Sequence, residues 1–205
     1  MTLVSSLSLI ILFYVIGSLP FALIFTKLFG LGDIRKVGSG NVGATNVLRT
    51  GNKFVAFIVL CFDIFKGFLP FLILQMYFQD ISLLNKILLC HFAILGHIYP
   101  VWLKFKGGKG VASFLGLLSI ISWPLTLIFC FFWLITVKIF KFSAIGAIVA
   151  IILNIIIFKL VLLVQFSKNI MPWVPGTPFE FNVIAILSLI ILYKHHSNLI
   201  SFFKK

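Results

Sequence analysis

The sequence predicts an all-α integral membrane protein, a bundle of about seven transmembrane helices in a single domain over residues 1–205. Of the 205 residues, 61% are hydrophobic and 10% are charged, whereas a soluble domain is roughly 45–50% apolar and about 25% charged. A membrane span needs ~20 mostly apolar residues. Measured in this way, the chain contains seven candidate spans, at residues 3–25, 54–77, 83–103, 111–123, 125–140, 143–164 and 181–194.

The first span is expected to remain as a helix. It lacks the basic leading region and the small-residue cleavage site of a signal peptide. The fourth and fifth spans are short and are predicted to turn at Trp123 and Pro124, because proline cannot continue the preceding helix. Three cysteines, Cys61, Cys90 and Cys130, lie within predicted spans without metal-ligand spacing, and we interpret them as small buried hydrophobic residues.

The basic residues predict the orientation in the membrane, because cytoplasmic loops carry an excess of Lys and Arg. Only Lys86, Lys159 and Lys168 lie toward the other side of the membrane, which is therefore the outer side. Asn169 is expected to face outside for the same reason. The N-terminus is then outside and the C-terminus cytoplasmic, which requires an odd number of spans. Topology and anionic lipid explain this charge, so nucleic acid is not an expected partner. The cytoplasmic set has fourteen members: Lys27, Arg35, Lys36, Arg49, Lys53, Lys66, Lys104, Lys106, Lys109, Lys138, Lys141, Lys194, Lys204 and Lys205.

Four polar stretches fall on the predicted cytoplasmic side: GSGNVGATNVLRTGN (38–52), KFKGGKG (104–110), KFS (141–143) and YKHHSN (193–198). Glycine-rich backbone with exposed amides, combined with Lys and Arg, is typical of phosphate binding. The first two stretches each supply such a combination, which suggests two phosphate-bearing substrates or one substrate held twice. The structural alternative is that the glycines permit close helix packing and the lysines anchor the loops.

Other kinds of chemistry are disfavoured by the sequence. It contains neither a paired-carboxylate motif nor a metal-ligand cluster, and His195 and His196 are adjacent and therefore point apart on a helix. Asp63 and Lys66 are three residues apart on one predicted helix and can form an ion pair. Charged residues inside a span are often functional, so a functional and a structural role of this pair both remain open.

Long motifs in this order resemble the PlsY family of bacterial membrane glycerol-3-phosphate acyltransferases. They are GSGNVGATNVLRTGN, DIFKG (63–67), GHIYPVWLKFKGGKGVA (96–112) and KHHSN (194–198). Five positions depart from the family pattern: Tyr99 where Phe is usual, Lys194 and His196 where arginines flank the histidine, Ser201 where an arginine often follows, and Gly146 in place of the second of two serines.

The resemblance implies a reaction and its setting. A fatty acyl group passes from acyl phosphate to sn-glycerol-3-phosphate, giving lysophosphatidate and inorganic phosphate, without a cofactor or metal. It implies a multi-pass protein of the bacterial inner membrane with its active site on the cytoplasmic side. Expected partners are the two substrates, membrane lipid, and the soluble enzyme that forms acyl phosphate.

The resemblance also implies roles for individual residues. Lys109, among Gly107, Gly108 and Gly110, would stabilise charge on the leaving phosphate or the carbonyl oxygen. Ser39, Arg49 and Lys104 would hold the acceptor phosphate. His195 and Asn198 would orient the glycerol hydroxyls, with either His195 or the donor phosphate taking the proton. Lys109, His195 and Ser39 are thus the expected catalytic residues. Asn41, Thr45, Asn46 and Ser143 would join the substrate-binding residues, and Asp63, Lys66 and His97 would line the site.

Two other functions are compatible with parts of the sequence. An organic-anion transporter would explain the basic glycine-rich loops, but it predicts polar residues deep in several spans, and few exist beyond Asp63, Lys66, His91 and Asn154. A non-catalytic lipid-binding membrane protein does not need two phosphate-binding loops.

Overall fold

The computed structural model describes residues 3–168 and 170–204, in which all regular structure is helical. Two short 3-10 turns, Ile34–Lys36 and Val101–Leu103, interrupt the loops. The α-helices of this described part are α1 (Leu3–Ser18), α2 (Phe21–Leu28), α3 (Ala44–Leu48), α4 (Lys53–Tyr77), α5 (Leu83–Ile98), α6 (Val111–Ile121), α7 (Trp123–Phe140), α8 (Ser143–Lys168), α9 (Pro178–Lys194) and α10 (His196–Phe203).

The described helices make this a multi-pass membrane protein. Four are long and apolar enough to cross a membrane, and the count reaches six if the bent pairs α1–α2 and α9–α10 each form one span. Helix α6 is apolar but shorter. Each of the seven predicted spans coincides with one of these helices or bent pairs. That all seven cross the membrane, and which terminus lies outside, stay predictions, and Asn169 lies outside the described residues.

The first span differs from its prediction, because it is not one continuous helix. Helix α1 ends at Ser18, and α2 begins at Phe21 after a bend of 41°. Pro20 is the cause, since proline lacks an N–H and its ring clashes with the preceding helical turn. The predicted turn between the fourth and fifth spans is confirmed: α6 ends at Ile121, and Pro124 lies in the first turn of α7.

The chain divides into two compact units, Met1–Leu117 and Leu118–Lys205. The single transmembrane domain expected from the sequence stays a prediction. In the first unit, α1 and α5 pack backbone against backbone. A side chain on Gly17 would collide with the backbone of Ala93, and one on Gly96 with the carbonyl of Tyr14. Small residues allow this close approach, as is common between membrane helices.

A cluster of apolar side chains in the first unit holds the polar loop that follows α2. Ile34, Val42 and Val47 come from this loop and from α3, and they are buried against α2 and α4. The loop therefore has buried anchors on both sides of its glycines, so its polar residues are carried on a fixed backbone. Ala22 from α2 and Val55, Ala56 and Val59 from α4 complete the cluster.

The second unit contains an antiparallel pair, α7 and α8. Asn154 of α8 donates from Nδ2 to the carbonyl of Leu125 at 2.7 Å. Helix α9 starts with a capping box between Thr177 and Glu180. Helix α10 follows after a bend of 48°, and its Phe202 packs against two aromatic rings at the α7–α8 turn, those of Phe140 and Phe142.

Candidate active site

Asn46 shapes the first glycine-rich loop from within. Its Nδ2 atom donates to the carbonyls of Ile34 and Val37, each at 2.9 Å. Its Oδ1 atom accepts from the backbone N–H of Ser39 at 3.2 Å. The side chain is 1% exposed, and both its amide nitrogen and its amide oxygen are hydrogen-bonded to backbone atoms of the loop. Asn46 therefore shapes the loop through its own hydrogen bonds, and its expected contact with substrate stays a prediction.

Arg49, at the end of α3, lies across the same loop. A Cβ atom on Gly38 would come within 2.6 Å of both Cδ and Nη1 of Arg49. Gly38 also has a left-handed backbone, with φ of +53°, a conformation that glycine adopts without steric cost. The first glycine of the motif thus makes room for the arginine, which is otherwise exposed and available to an anion.

The other polar residues of this loop differ in how far they are exposed to solvent. Ser39 and Thr45 are exposed, and Asn41 is half-buried. An ion pair not expected from the sequence lies just before them: Arg35 Nη2 is 2.7 Å from Asp33 Oδ2. This hydrogen-bonded pair lowers the pKa of Asp33 to about 2, so the carboxylate stays ionised. The sequence signal for this ion pair was the presence of an acidic and a basic residue two positions apart, at Asp33 and Arg35.

The second glycine-rich loop is fastened to the end of α5. The N–H of Gly107 donates to the carbonyl of Ile98 at 3.2 Å, and that of Gly108 donates to the carbonyl of His97 at 3.1 Å. The sequence led us to expect both amides in an anion-binding nest. In this structure both amides are hydrogen-bonded to the last turn of α5, and the contact of this loop with substrate stays a prediction.

The two glycine-rich loops meet at Gly108. A Cβ atom on this residue would collide with Nε2 of His97 and come within 2.8 Å of the carbonyl oxygen of Val42. Only a residue without a side chain fits between the α5 histidine and the first loop. Gly108 therefore brings the Lys109 backbone up to the loop that carries Arg49.

Lys109 is half-buried, and its charge is perturbed by this environment. Burial, together with the nearby positive charge of Arg49, lowers the pKa of Lys109 to about 8. Two cations from different loops are thus close enough to repel each other. An anion placed between them would relieve this repulsion and favour the charged form of the lysine.

Lys104 lies on a tight turn beside the second loop and is exposed. Both Lys104 and Phe105 have positive φ angles, +52° and +61°, which are uncommon for residues with a side chain. Hydrogen bonds from the N–H groups of Lys104 and Phe105 to the carbonyls of Val101 and Pro100 hold this turn. The turn therefore fixes the backbone of Lys104, and the expected contact of its side chain with substrate stays a prediction.

Asp63 and Lys66 form the ion pair that their spacing predicted, with Nζ 2.8 Å from Oδ1. Both side chains are 3% exposed. His97 is also buried, and its Nδ1 atom lies 3.7 Å from the same carboxylate oxygen. These three residues line a small cavity together with Gly107 and Gly108. They lie beneath the second glycine-rich loop.

Trp102 was not identified from the sequence. Its Nε1 atom donates to the carbonyl of Ser18 at 2.9 Å, where the break after α1 leaves a carbonyl without its helical donor. Pro20 was the signal, because a proline within a span frees backbone carbonyls that must find other donors in a membrane.

The remaining expected residues belong to the second unit. His195 is buried, and its Nδ1 atom lies 2.8 Å from the carbonyl of Ile191. A carbonyl can only accept, so Nδ1 carries a proton in this contact. Asn198 is half-buried on the next turn, with its N–H donating to the carbonyl of His195 at 2.9 Å. Ser143 is half-buried at the start of α8.

The packing of α7 against α8 explains one departure from the family pattern. A Cβ atom on Gly146 would come within 2.6 Å of Cγ2 of Val137 and 3.1 Å of the carbonyl oxygen of Trp133. A serine at this position would require the two helices to move apart. Gly146 is therefore used for close packing in this chain.

Residues 7–205 match the family described as glycerol-3-phosphate acyltransferase. Curated relatives of that name include one from Bartonella henselae, 43% identical over 91% of this chain and 82% of the relative. Another, from Ehrlichia canis, is 37% identical over 96% of this chain and 94% of the relative.

Solved structures agree with these sequence matches. A crystal structure of PlsY, an integral membrane glycerol-3-phosphate acyltransferase, in its glycerol 3-phosphate form has a TM-score of 0.79 and 32% identity, covering 98% of this chain and 92% of that one. Its lysophosphatidic acid form has a TM-score of 0.78 with the same coverage. From its motifs, fold and relatives, we conclude that this chain belongs to the PlsY family of glycerol-3-phosphate acyltransferases.

Proposed function

We propose that the chain transfers a fatty acyl group from acyl phosphate to a hydroxyl of sn-glycerol-3-phosphate, with lysophosphatidate and inorganic phosphate as products. The observation that carries the proposal is the proximity of Arg49 and Lys109. Gly108, where the second loop meets the first, brings Lys109 close enough to Arg49 for the charge of the arginine to lower the pKa of the lysine. Two cations suit a reaction with a phosphate on both substrates.

In this proposal Arg49 holds the phosphate of the acceptor. Its planar guanidinium can donate two parallel hydrogen bonds to phosphate oxygens. Ser39, Asn41, Thr45 and Lys104 are proposed to add donors or charge around the same group. Of these, Ser39, Thr45 and Lys104 are exposed, so they can reach a ligand from solution. The acceptor phosphate would fix the position of the glycerol hydroxyl.

Lys109 is proposed to act on the donor. When the hydroxyl oxygen attacks the acyl carbon, a new C–O bond forms, and the bond to the phosphate oxygen breaks with its electron pair leaving on the phosphate. Negative charge builds up on the carbonyl oxygen and then on the leaving group. A positioned ammonium group stabilises this developing charge more than it stabilises the ground state.

His195 and Asn198 are proposed to orient the glycerol hydroxyls, as the family resemblance implies. The hydroxyl proton passes either to Nε2 of His195 or to the leaving phosphate. The hydrogen bond between Nδ1 and the carbonyl of Ile191 supports the first route, because it holds the imidazole ring in a fixed orientation. Ser143 is proposed to contact substrate from the start of α8.

The proposal includes a setting. Seven spans in the bacterial inner membrane would place the N-terminus outside and the glycine-rich loops in the cytoplasm, where glycerol-3-phosphate is available. Acyl phosphate would come from a soluble enzyme, and its tail would enter from the lipid. The distribution of Lys and Arg along the sequence supports this orientation.

Product analysis with purified protein in detergent tests the proposed reaction. Palmitoyl phosphate and labelled glycerol-3-phosphate should give lysophosphatidate and inorganic phosphate in equal amounts. Omission of either substrate should abolish both products. Phosphate release without lysophosphatidate would mean that the protein hydrolyses the donor, and it would contradict the proposal.

A further inference from the structure

Two carbonyls at the break in the first span are satisfied by side chains from elsewhere in the first unit. Trp102 Nε1 donates to Ser18, and Lys66 Nζ donates to the carbonyl of Leu19 at 3.0 Å. A carbonyl inside a membrane needs a donor from the protein. The broken helix is therefore tied to α4 through Lys66, at the level of the buried ion pair.

Asp63 connects this tie to α5. Its carboxylate neutralises Lys66, which is buried and would otherwise carry an uncompensated charge. The same carboxylate oxygen faces Nδ1 of His97 at 3.7 Å. Asp63 thus lies between the lysine that holds the broken helix and the histidine at the end of α5.

His97 in turn contacts the second glycine-rich loop in two ways. Its carbonyl accepts the hydrogen bond from Gly108, and its Nε2 edge occupies the space where a side chain on Gly108 would lie. The backbone of Gly108 is therefore held by the orientation of this ring, and Lys109 is the next residue.

We propose that Asp63, Lys66 and His97 form a positioning network that holds Gly108, and through it the Lys109 side chain, in place for catalysis. None of the three contacts substrate in this proposal; each acts through its neighbour. The inference rests on the role proposed for Lys109. It differs from a purely structural role, in which the network would keep the helices together without affecting that lysine.

A double-mutant cycle between His97 and Lys109 separates the two roles. His97→Asn keeps a nitrogen near the Nδ1 position but removes the ring edge against Gly108. His91→Asn is the matched control, because His91 lies on the same helix and its Nδ1 atom is within 2.7 Å of the carbonyl of Ile87. Each substitution is made alone and together with Lys109→Ala. For every variant, kcat is measured with the acyl donor that sustains turnover of the wild type, and the melting temperature is measured in detergent.

The network predicts coupling between the two sites. His97→Asn should lower kcat about tenfold when Lys109 is present and less than about twofold when it is alanine, as coupled residues behave. His91→Asn should leave kcat unchanged in both backgrounds while shifting the melting temperature by a similar amount. Equal losses for His97→Asn in both backgrounds, or no loss in either, would overturn the inference.

A second variant addresses the ion pair without leaving a lone buried charge. Asp63→Asn combined with Lys66→Gln keeps polar groups of similar size, and it should lower kcat in the Lys109 background only. If Lys109→Ala alone is silent, the proposed role of the lysine fails, and the inference fails with it. If Lys109→Ala lowers kcat but the substitutions in the network have the same effect with and without Lys109, the positioning network is overturned and the role proposed for Lys109 stands.

Discussion

Arg49 occupies the space that a side chain at position 38 would need, so the position of the arginine depends on glycine at position 38. The contact involves both the aliphatic Cδ and the Nη1 of the guanidinium. A Cβ atom at position 38 would therefore displace the arginine side chain.

Gly38→Ala is expected to displace Arg49 and raise KM for glycerol-3-phosphate. Its Cβ atom would meet Cδ and Nη1 of Arg49 at 2.6 Å and Oδ1 of Asn46 at 2.8 Å, so the arginine side chain must move away from its place beside the loop. Gly30→Ala is the matched control, because Gly30 has a similar φ of +66° and no atom within 4 Å of the added Cβ. Steady-state kinetics should show the effect at position 38 only; an equal rise in both variants would indicate backbone strain instead.

Arg49→Lys should raise KM for glycerol-3-phosphate at a cost of about 1–3 kcal/mol, the range for hydrogen bonds to charged groups. Lysine supplies one point charge where the guanidinium supplies a planar fork. KM for acyl phosphate should be nearly unchanged. The measurement varies each substrate in turn for Arg49→Lys and Arg49→Ala, and an unchanged acceptor KM in both would remove Arg49 from the acceptor site.

Lys109→Ala should leave the protein folded and lower kcat by roughly 10²-fold, as loss of a charge-stabilising donor does. Retention of the wild-type melting temperature is the control. Wild-type turnover in this variant would show that the second glycine-rich loop does not act on developing charge.

The pKa of Lys109, lowered to about 8, predicts a pH dependence. The ammonium form dominates below pH 8, so kcat/KM of the wild type should fall as pH rises through about 8. A bound anion raises the pKa of the lysine, so the fall in kcat should lie at higher pH. Lys109→Ala should lack the fall in kcat/KM, and its persistence there would assign it to another group.

Membrane topology can be tested with single cysteines in a background that lacks Cys61, Cys90 and Cys130. An impermeant thiol reagent on intact cells should label Lys168→Cys but not Lys106→Cys, because the basic residues place position 106 in the cytoplasm. Permeabilised cells should label both. Labelling of position 106 from outside would reverse the proposed orientation.

Local sequence relationships predicted their part of the structure well. The Asp63–Lys66 ion pair follows from a spacing of three on one helix, and the helix break before α7 follows from Pro124. Pro20 carried the same signal for the break in the first span, but the length of the apolar run around it outweighed that signal in our prediction.

Contacts between distant parts of the chain were not predictable in this way. The amides of Gly107 and Gly108 are hydrogen-bonded to α5 because that helix ends beside the loop, and the burial of Asn46 depends on where the chain returns after the 3-10 turn. Trp102 and Ser18 are 84 residues apart. A single sequence reveals which residues are polar in an apolar chain, but not which of them face each other.

A comparison of two acyl donors tests whether acyl phosphate is the substrate of this enzyme. Initial rates of lysophosphatidate formation from labelled glycerol-3-phosphate are measured with palmitoyl phosphate and with palmitoyl-CoA, for the purified wild type and for Lys109→Ala. Product should form from palmitoyl phosphate only, with the rate reduced roughly 10²-fold in the variant. Comparable rates from palmitoyl-CoA would show that acyl phosphate is not the required donor.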